Sequence, residues 1–447
     1  MSYSVDSKDR DTLRNLADKI VEYAKAPEIA ERKRLWKCSN DLKSERPMIL
    51  VETVAVEGFK DESELVCKDP YLRDIEKSLR ESVKHYEMLN DDFVIEPYYR
   101  IPWKIKISDY GVDLGEHHAA DGTGRDLAYS FDYPVKSPVD LSKLNKRQYE
   151  VFRDDTLALY EKADSVFGDI LPVRLGGIDL VFTEWDGVFS MVKDALDEHG
   201  NRRYLGYTPF IGDYFIGLAM DMYKLLGNEN LMLWPYDHPD ALKWLGNFLM
   251  EDRIAFFKWL EEEKLLDINA DNQLVGSAPY GYTSELPGIS QNPSSTKLKD
   301  VWGWAEAQEA QLYGPDMFEE FVLPFLAEVC KLFGLIAYGC CETLEEKFPS
   351  IKRAIPDIRN VAVSPWSNAS KMADQLGKDY VYCKKTMPSN ISGPSANWNA
   401  LEEEIKETLE VAKDCHLQFI LRDVYDVNGD IQRLQEWVEI IRRLLKI

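Results

Sequence analysis

Over roughly the last 150 residues, short apolar runs alternate with amphipathic helical stretches, and no other feature constrains the fold as tightly. The runs lie near Gly303–Gln308, Leu335–Tyr338, Val361–Ser364, Tyr380–Cys383 and Leu417–Leu421. Between them the apolar spacing is helical. Phe318, Phe321 and Leu326 come first, then Leu344–Ala354, Lys371–Leu376, Leu401–Ala412 and Leu434–Leu445. Strands separated by helices pair in parallel, because each crossover returns the chain to the same end of the sheet. An open doubly wound sheet and a closed barrel both satisfy this. No Gly-x-Gly-x-x-Gly turn follows any of the runs, which disfavours a dinucleotide-binding open sheet. The expected fold is α/β, a (β/α)8 TIM barrel with an elaborated helical N-terminal region.

The earlier sequence is arranged around that core. Residues 1–90 read as a mainly helical extension packed on the barrel, with Leu13, Leu16, Ile20 and Tyr23 at helical spacing. Within it, Pro47–Val51 has a strand pattern and Tyr71–Leu89 a helical one. Residues 91–447 read as the barrel, carrying long inserted loops at 97–142 and 276–300. Phe93–Ile95, Asp179–Phe182 and Leu265–Asn269 look strand-like; Lys146–Phe167 and Gly212–Lys264 look helical.

Composition narrows the function classes. The chain has 78 acidic and 54 basic residues, a net charge of −24, which disfavours nucleic acid and anionic membrane as partners. There is no apolar run of membrane-spanning length, and Met1–Arg14 is polar, unlike a secretory signal. Seven cysteines, an odd number, fit no disulfide framework. A cytoplasmic protein is expected, with a homodimer as an option.

Parallel α/β enzymes place their chemistry at the C-terminal ends of the strands. Here those ends carry Glu306 and Gln308, then Cys340-Cys341-Glu342, Ser364-Pro365-Trp366, Cys383-Lys384-Lys385 and Arg422-Asp423. Thiolates and a carboxylate are zinc ligands, so Cys341, Glu342, Cys383 and Cys340 are the candidate metal set. Small buried cysteines of a core layer are the competing reading. Glu184 and Asp186 flank Trp185 after a strand-like run, and with Glu306 and Arg422 they are the candidate catalytic groups. His117, His118, Trp185, Tyr280, Trp366 and Lys384 are the candidate substrate contacts.

Four segments resemble the uroporphyrinogen decarboxylase superfamily: Tyr338-Gly339-Cys340-Cys341-Glu342, Val363-Ser364-Pro365-Trp366, Tyr380-Val381-Tyr382-Cys383-Lys384 and Leu421-Arg422-Asp423-Val424. The resemblance runs from about Asp300 to Ile447 and implies a (β/α)8 barrel. The decarboxylase's own Arg-x-Ala-Gly-Arg-Tyr segment is missing, and the acidic chain does not suit a porphyrinogen tetracarboxylate. The chain is more similar to the corrinoid-dependent methyltransferase branch. Members of that branch carry His-x-Cys at the corresponding strand end and a further Cys near the last strand. Cys341 matches the first Cys; Gly339 stands in place of the His, and Arg422-Asp423 ends the last strand without a Cys. A zinc site would then need Glu342, Cys383 or His117 as substitutes. The resemblance implies methyl transfer from a small O-, N- or S-methylated compound to a corrinoid carried by a partner protein, with zinc assistance. The alternatives are a decarboxylase or lyase for a small carboxylic acid, clamped by Arg422, Lys384 and Lys385, and a non-catalytic barrel that binds a partner.

Overall fold

The structure is a computed structural model that describes residues 5–53, 56, 58–59, 62–118, 129–180, 214–288 and 295–447. Its strands are β1 (Met48–Val51), β2 (Tyr99–Ile107), β3 (Glu116–His118), β4 (Tyr129–Phe131), β5 (Tyr149–Val151), β6 (Val173–Leu180), β7 (Trp302–Ala305), β8 (Leu335–Tyr338), β9 (Ile358–Val363), β10 (Val381–Lys385) and β11 (His416–Leu421). Its helices are α1 (Ser7–Ala24), α2 (Pro27–Asn40), α3 (Pro70–Leu89), α4 (Arg153–Phe167), α5 (Leu218–Asp237), α6 (Pro239–Glu262), α7 (Pro315–Phe321), α8 (Leu323–Cys330), α9 (Phe348–Ala354), α10 (Ala369–Leu376), α11 (Trp398–Val411) and α12 (Gln432–Leu445).

The five C-terminal runs all form strands. They build a six-stranded sheet in the order β1-β11-β10-β9-β8-β7, and every pairing in it is parallel. β1 lies within the segment read as the N-terminal extension, yet it pairs with the last strand. Beyond β7, an isolated parallel bridge joins Phe215 to Trp304. The ladder is open among the described residues, so a closed barrel is more than this sheet forms. β2 and β6 pair in a separate three-stranded sheet with β5, and β3 and β4 form a hairpin.

Local chemistry explains the elements. Asp69 caps α3 by accepting from the Leu72 amide at 3.1 Å, and Pro70 presets the first turn. The buried stripe Leu72, Ile75, Leu79 and Val83 gives α3 its packing face. Asn90, in the left-handed region at φ 49°, ends it. The stretch over 212–264, expected to be mainly helical, forms α5 and α6; Gly227, at φ 74°, breaks α5 part-way, and Pro239 opens α6. Phe93–Ile95 and Leu265–Asn269 are not strands. At Phe93–Ile95 the reason is visible. The free edge of β1 is occupied by side chains: Asp92 accepts from the Ile49 amide and Asp91 from the Val51 amide, both at 2.9 Å.

Strand side chains alternate between faces, and register decides which of them meet. Trp304 pairs with Ala337, Ala337 with Asn360, Cys383 with Ala362 and Gln418, and Gln418 with Met48. These residues therefore share one face of the sheet. At its N-terminal side a buried amide network closes that face. Asn360 donates to Gln418, Gln418 to Ser39 and Asn40, and Asn40 to the Tyr280 and Tyr282 carbonyls. The opposite face packs Ile336, Tyr338, Val361, Val363, Tyr382 and Phe419 into the main hydrophobic core with α8, α11 and α12. No described helix is long and apolar enough to cross a membrane.

Candidate functional site

Carried one step past the strand ends, the same alternation brings Glu306, Ser364, Lys385, Arg422 and Glu52 to the C-terminal edge of the shared face. Contacts confirm much of this grouping. Arg422 Nε lies 3.1 Å from Glu52 Oε2, and its guanidinium sits 5.6 Å from the Trp304 ring centre. Lys385, 2 % exposed, pairs with Asp423 at 3.0 Å. Its Nζ lies 3.7 Å from Cys341 Sγ and 3.5 Å from the Cys340 carbonyl.

The cysteine turn is held by its own neighbour. Glu342 accepts from the Cys340 amide at 2.9 Å and from the Ala307 amide at 3.1 Å, so one buried carboxylate ties the β7 and β8 ends together. Gly339 turns the chain at φ 96°; a Cβ there would meet the Ala362 carbonyl oxygen and the Leu344 side chain, each at 3.1 Å. The position that carries His in the resembled methyltransferases thus has a backbone that suits glycine here. The two sulfurs are 3.6 Å apart, Cys340 buried and Cys341 half-buried. Their environments split them. The hydrogen bond from Cys340 and the nearby Lys385 ammonium lower the Cys341 thiol, although burial opposes them. That same bond and burial push Cys340 well up. Lys385 is held above its ordinary range by the two cysteines and Asp423, against the effect of burial.

Across the edge lies an acidic turn. Glu306 is 1 % exposed. One of its oxygens accepts from the Gln308 amide at 2.8 Å, and the other, Oε1, has no donor among the described residues. Burial raises its carboxyl well above the usual range, and Glu309, Glu342 and Cys340 add to the effect. Glu309 is pushed up to about 7, mainly by burial. Both groups therefore hold protons at pH values where an ordinary glutamate is ionised.

The candidate residues divide between this edge and other places. Cys340, Cys341, Glu342, Glu306 and Arg422 come together. Cys383 does not join them: it is fully buried beside Met48, Leu50, Ile420 and Tyr280, and burial pushes its thiol up to about 12. Lys384 points to the opposite face and pairs with Glu404 of α11 at 3.1 Å. Counting by twos from Cys383 selects Lys385, so the sequence held the signal that separates the two lysines. Tyr280 packs edge-on against Trp36 at 5.2 Å in the closed half of the face. His117 pairs with Asp132 on the β3–β4 hairpin, 60 % exposed. Trp366 is 57 % exposed on the loop after β9. Glu184, Trp185, Asp186 and the His118 side chain lie outside the described residues. Asp423 lies at a strand end singled out from the sequence, whereas Glu309 and Glu52 did not stand out there; Glu52 was findable as the residue just past β1.

The structure divides the candidate zinc donors. Glu342 is engaged by two amides and Cys383 is sequestered. Among the described residues no three His, Cys, Asp or Glu side chains gather closely enough to hold a metal ion.

No protein-family model matches the chain, and no curated protein matches it. Among solved structures it is similar to a methyltransferase from Methanosarcina mazei, at 12 % identity and a TM-score of 0.47, over 92 % of this chain and 98 % of that one.

Proposed function

We propose that the chain is a methyltransferase that moves a methyl group from a small O-, N- or S-methylated compound to a corrinoid carried by a partner protein. On this reading the open sheet is the larger part of a (β/α)8 barrel. The observation that carries the proposal is Glu306, a buried carboxyl beside Cys340 and Glu342 of the cysteine turn, with one oxygen that has no donor among the described residues. The sequence resemblance of the same strand ends supports it.

Breaking a heteroatom–methyl bond requires the heteroatom to leave as a stabilised group, either metal-bound or protonated. The described residues favour protonation. Burial holds the Glu306 proton well above the usual glutamate range, and that proton can pass to the heteroatom from Oε1 or Oε2 as the bond to carbon breaks. The corrinoid, when its carrier is docked, supplies the electron pair that takes the methyl group. The chain's own work is to hold substrate, exclude water and place that proton. Glu342 fixes the turn that carries Cys341, and Lys385 with Asp423 keeps the opposite rim charged yet neutral overall.

Lyase chemistry is less well supported. An anion clamp would need Arg422 and Lys385 free, and each already faces a carboxylate. A non-catalytic scaffold would gain nothing from a buried acid with an unmatched oxygen.

The test is direct. Reduced cob(I)alamin is mixed with the protein and a panel of N-, O- and S-methyl compounds, and its consumption is followed by absorbance. The wild type should accelerate consumption with at least one donor, and Glu306→Gln should slow it by about 100-fold. Absence of protein-dependent consumption across the whole panel would overturn the proposal.

A further inference from the structure

Three acceptor atoms in a single turn are shielded from solvent and have no donor among the described residues: Glu306 Oε1, Gln308 Oε1 and Glu309 Oε2. The turn has already used its own donors. The Gln308 amide bonds Glu306 at 2.8 Å, and Gln308 Nε2 bonds Glu309 Oε1 at 3.1 Å. What is left, once the carboxyls ionise, is acceptor only. A buried acceptor without a donor is costly, so three together mark a place for a donor-rich ligand. An inorganic cation is disfavoured, since no metal-holding group of side chains forms among the described residues. N–H donors remain.

We propose that Glu306, Gln308 and Glu309 bind the ammonium group of a small amine, so that the methyl donor is an N-methylated amine; this rests on the methyl-transfer reading above. Methylammonium carries three N–H groups, one for each open acceptor. An ether or thioether has none to offer, which separates nitrogen donors from their O- and S-methyl analogues. Two carboxyls supply the countercharge: an amine arriving as the free base takes the Glu306 proton within the site, and one arriving as ammonium displaces that proton to solvent. The charged and titratable groups that face them are Glu342 and Cys340 from the turn after β8 and Lys224 from α5. Cation binding therefore expels a proton from the acidic turn. The reaction balances on the same atoms. The carbon–nitrogen bond breaks and its electron pair stays on nitrogen. The methyl group passes to the reduced acceptor, the amine leaves neutral, and the carboxyls regain a proton from solvent.

Calorimetric titration with methylammonium, dimethylammonium, trimethylammonium and tetramethylammonium chloride tests this on the full chain, near pH 7, in two buffers of different ionisation enthalpy. Affinity should fall in that order as N–H groups are lost, with net proton release. Glu309→Gln and Glu306→Gln should each weaken methylammonium binding by about tenfold or more. Gln308→Glu keeps an acceptor at this position while removing the Nε2 donor to Glu309, should retain methylammonium binding, and serves if either glutamine variant fails to fold. The proposal is overturned if methylammonium does not bind, if tetramethylammonium binds as well, if the folded glutamine variants keep wild-type affinity, or if Gln308→Glu loses binding. Ammonium binding without cob(I)alamin consumption would overturn the functional reading and leave this site standing. Consumption driven only by O- or S-methyl donors, without ammonium binding, would do the reverse.

Discussion

At the scale of residues, the site turns on small differences between chemical twins. Cys340 and Cys341 are adjacent, yet one thiol is pushed up and the other down, because only Cys341 both accepts from its neighbour and lies 3.7 Å from the Lys385 ammonium. Lys384 and Lys385 are adjacent too, and the strand's alternation sends them to opposite faces. Strand alternation read from the sequence separates the two lysines, whereas the contrast between the two thiols depends on Lys385 of β10 and Asp423 after β11, which only the fold brings beside Cys341. A thiol with a lowered pKa is more fully ionised at neutral pH and alkylates faster. Mass spectrometry after brief iodoacetamide treatment near pH 7 should therefore find Cys341 modified well before Cys340 and Cys383. Lys385→Met should raise the Cys341 pKa and slow its alkylation by about tenfold, with the rate recovered at higher pH. Equal rates in the two proteins would show that Lys385 does not set the thiolate.

At the scale of elements, the five C-terminal strands were legible because each is a short apolar run bounded by a helical pattern. Phe93–Ile95 was misread for a physical reason. Its apolar residues pack as a strand's would, but the Asp91 and Asp92 carboxylates take the β1 amides that a neighbouring strand would have used. Asp91 also meets His85 at 2.9 Å. Burial works against its ionisation, and His85 with the Val51 amide outweighs burial, leaving the carboxyl below the usual aspartate range. Its contribution to stability is full above the ordinary aspartate pKa and is lost as pH falls through the lower native value. Asp91→Asn should cost about 1–3 kcal/mol near neutral pH and flatten the acid limb of the stability curve. Urea denaturation across the acid range measures both effects. An unchanged acid limb would mean that another group governs it.

At the scale of the whole molecule, one sheet gathers the chemistry. Its N-terminal side is sealed by amides from Asn360, Gln418 and Asn40, and its C-terminal edge collects acids, thiols and cations. The parallel α/β architecture was readable from the order of strands, and polar residues that follow them gather at one edge of the sheet. Closure into a barrel was not readable, because it depends on long-range pairing that no local pattern encodes, and the described ladder stays open. Register also separates the four proposed metal donors, placing Cys383 in the closed half of the face. The metal-free account rests on Glu306 keeping its proton where an ordinary glutamate has lost it. An isotope-edited infrared difference spectrum between the wild type and Glu306→Gln, recorded near pH 7, measures this directly. The account predicts a protonated carboxylic acid band in the wild type that is missing from the variant. A difference spectrum showing only ionised carboxylate at that position would contradict it.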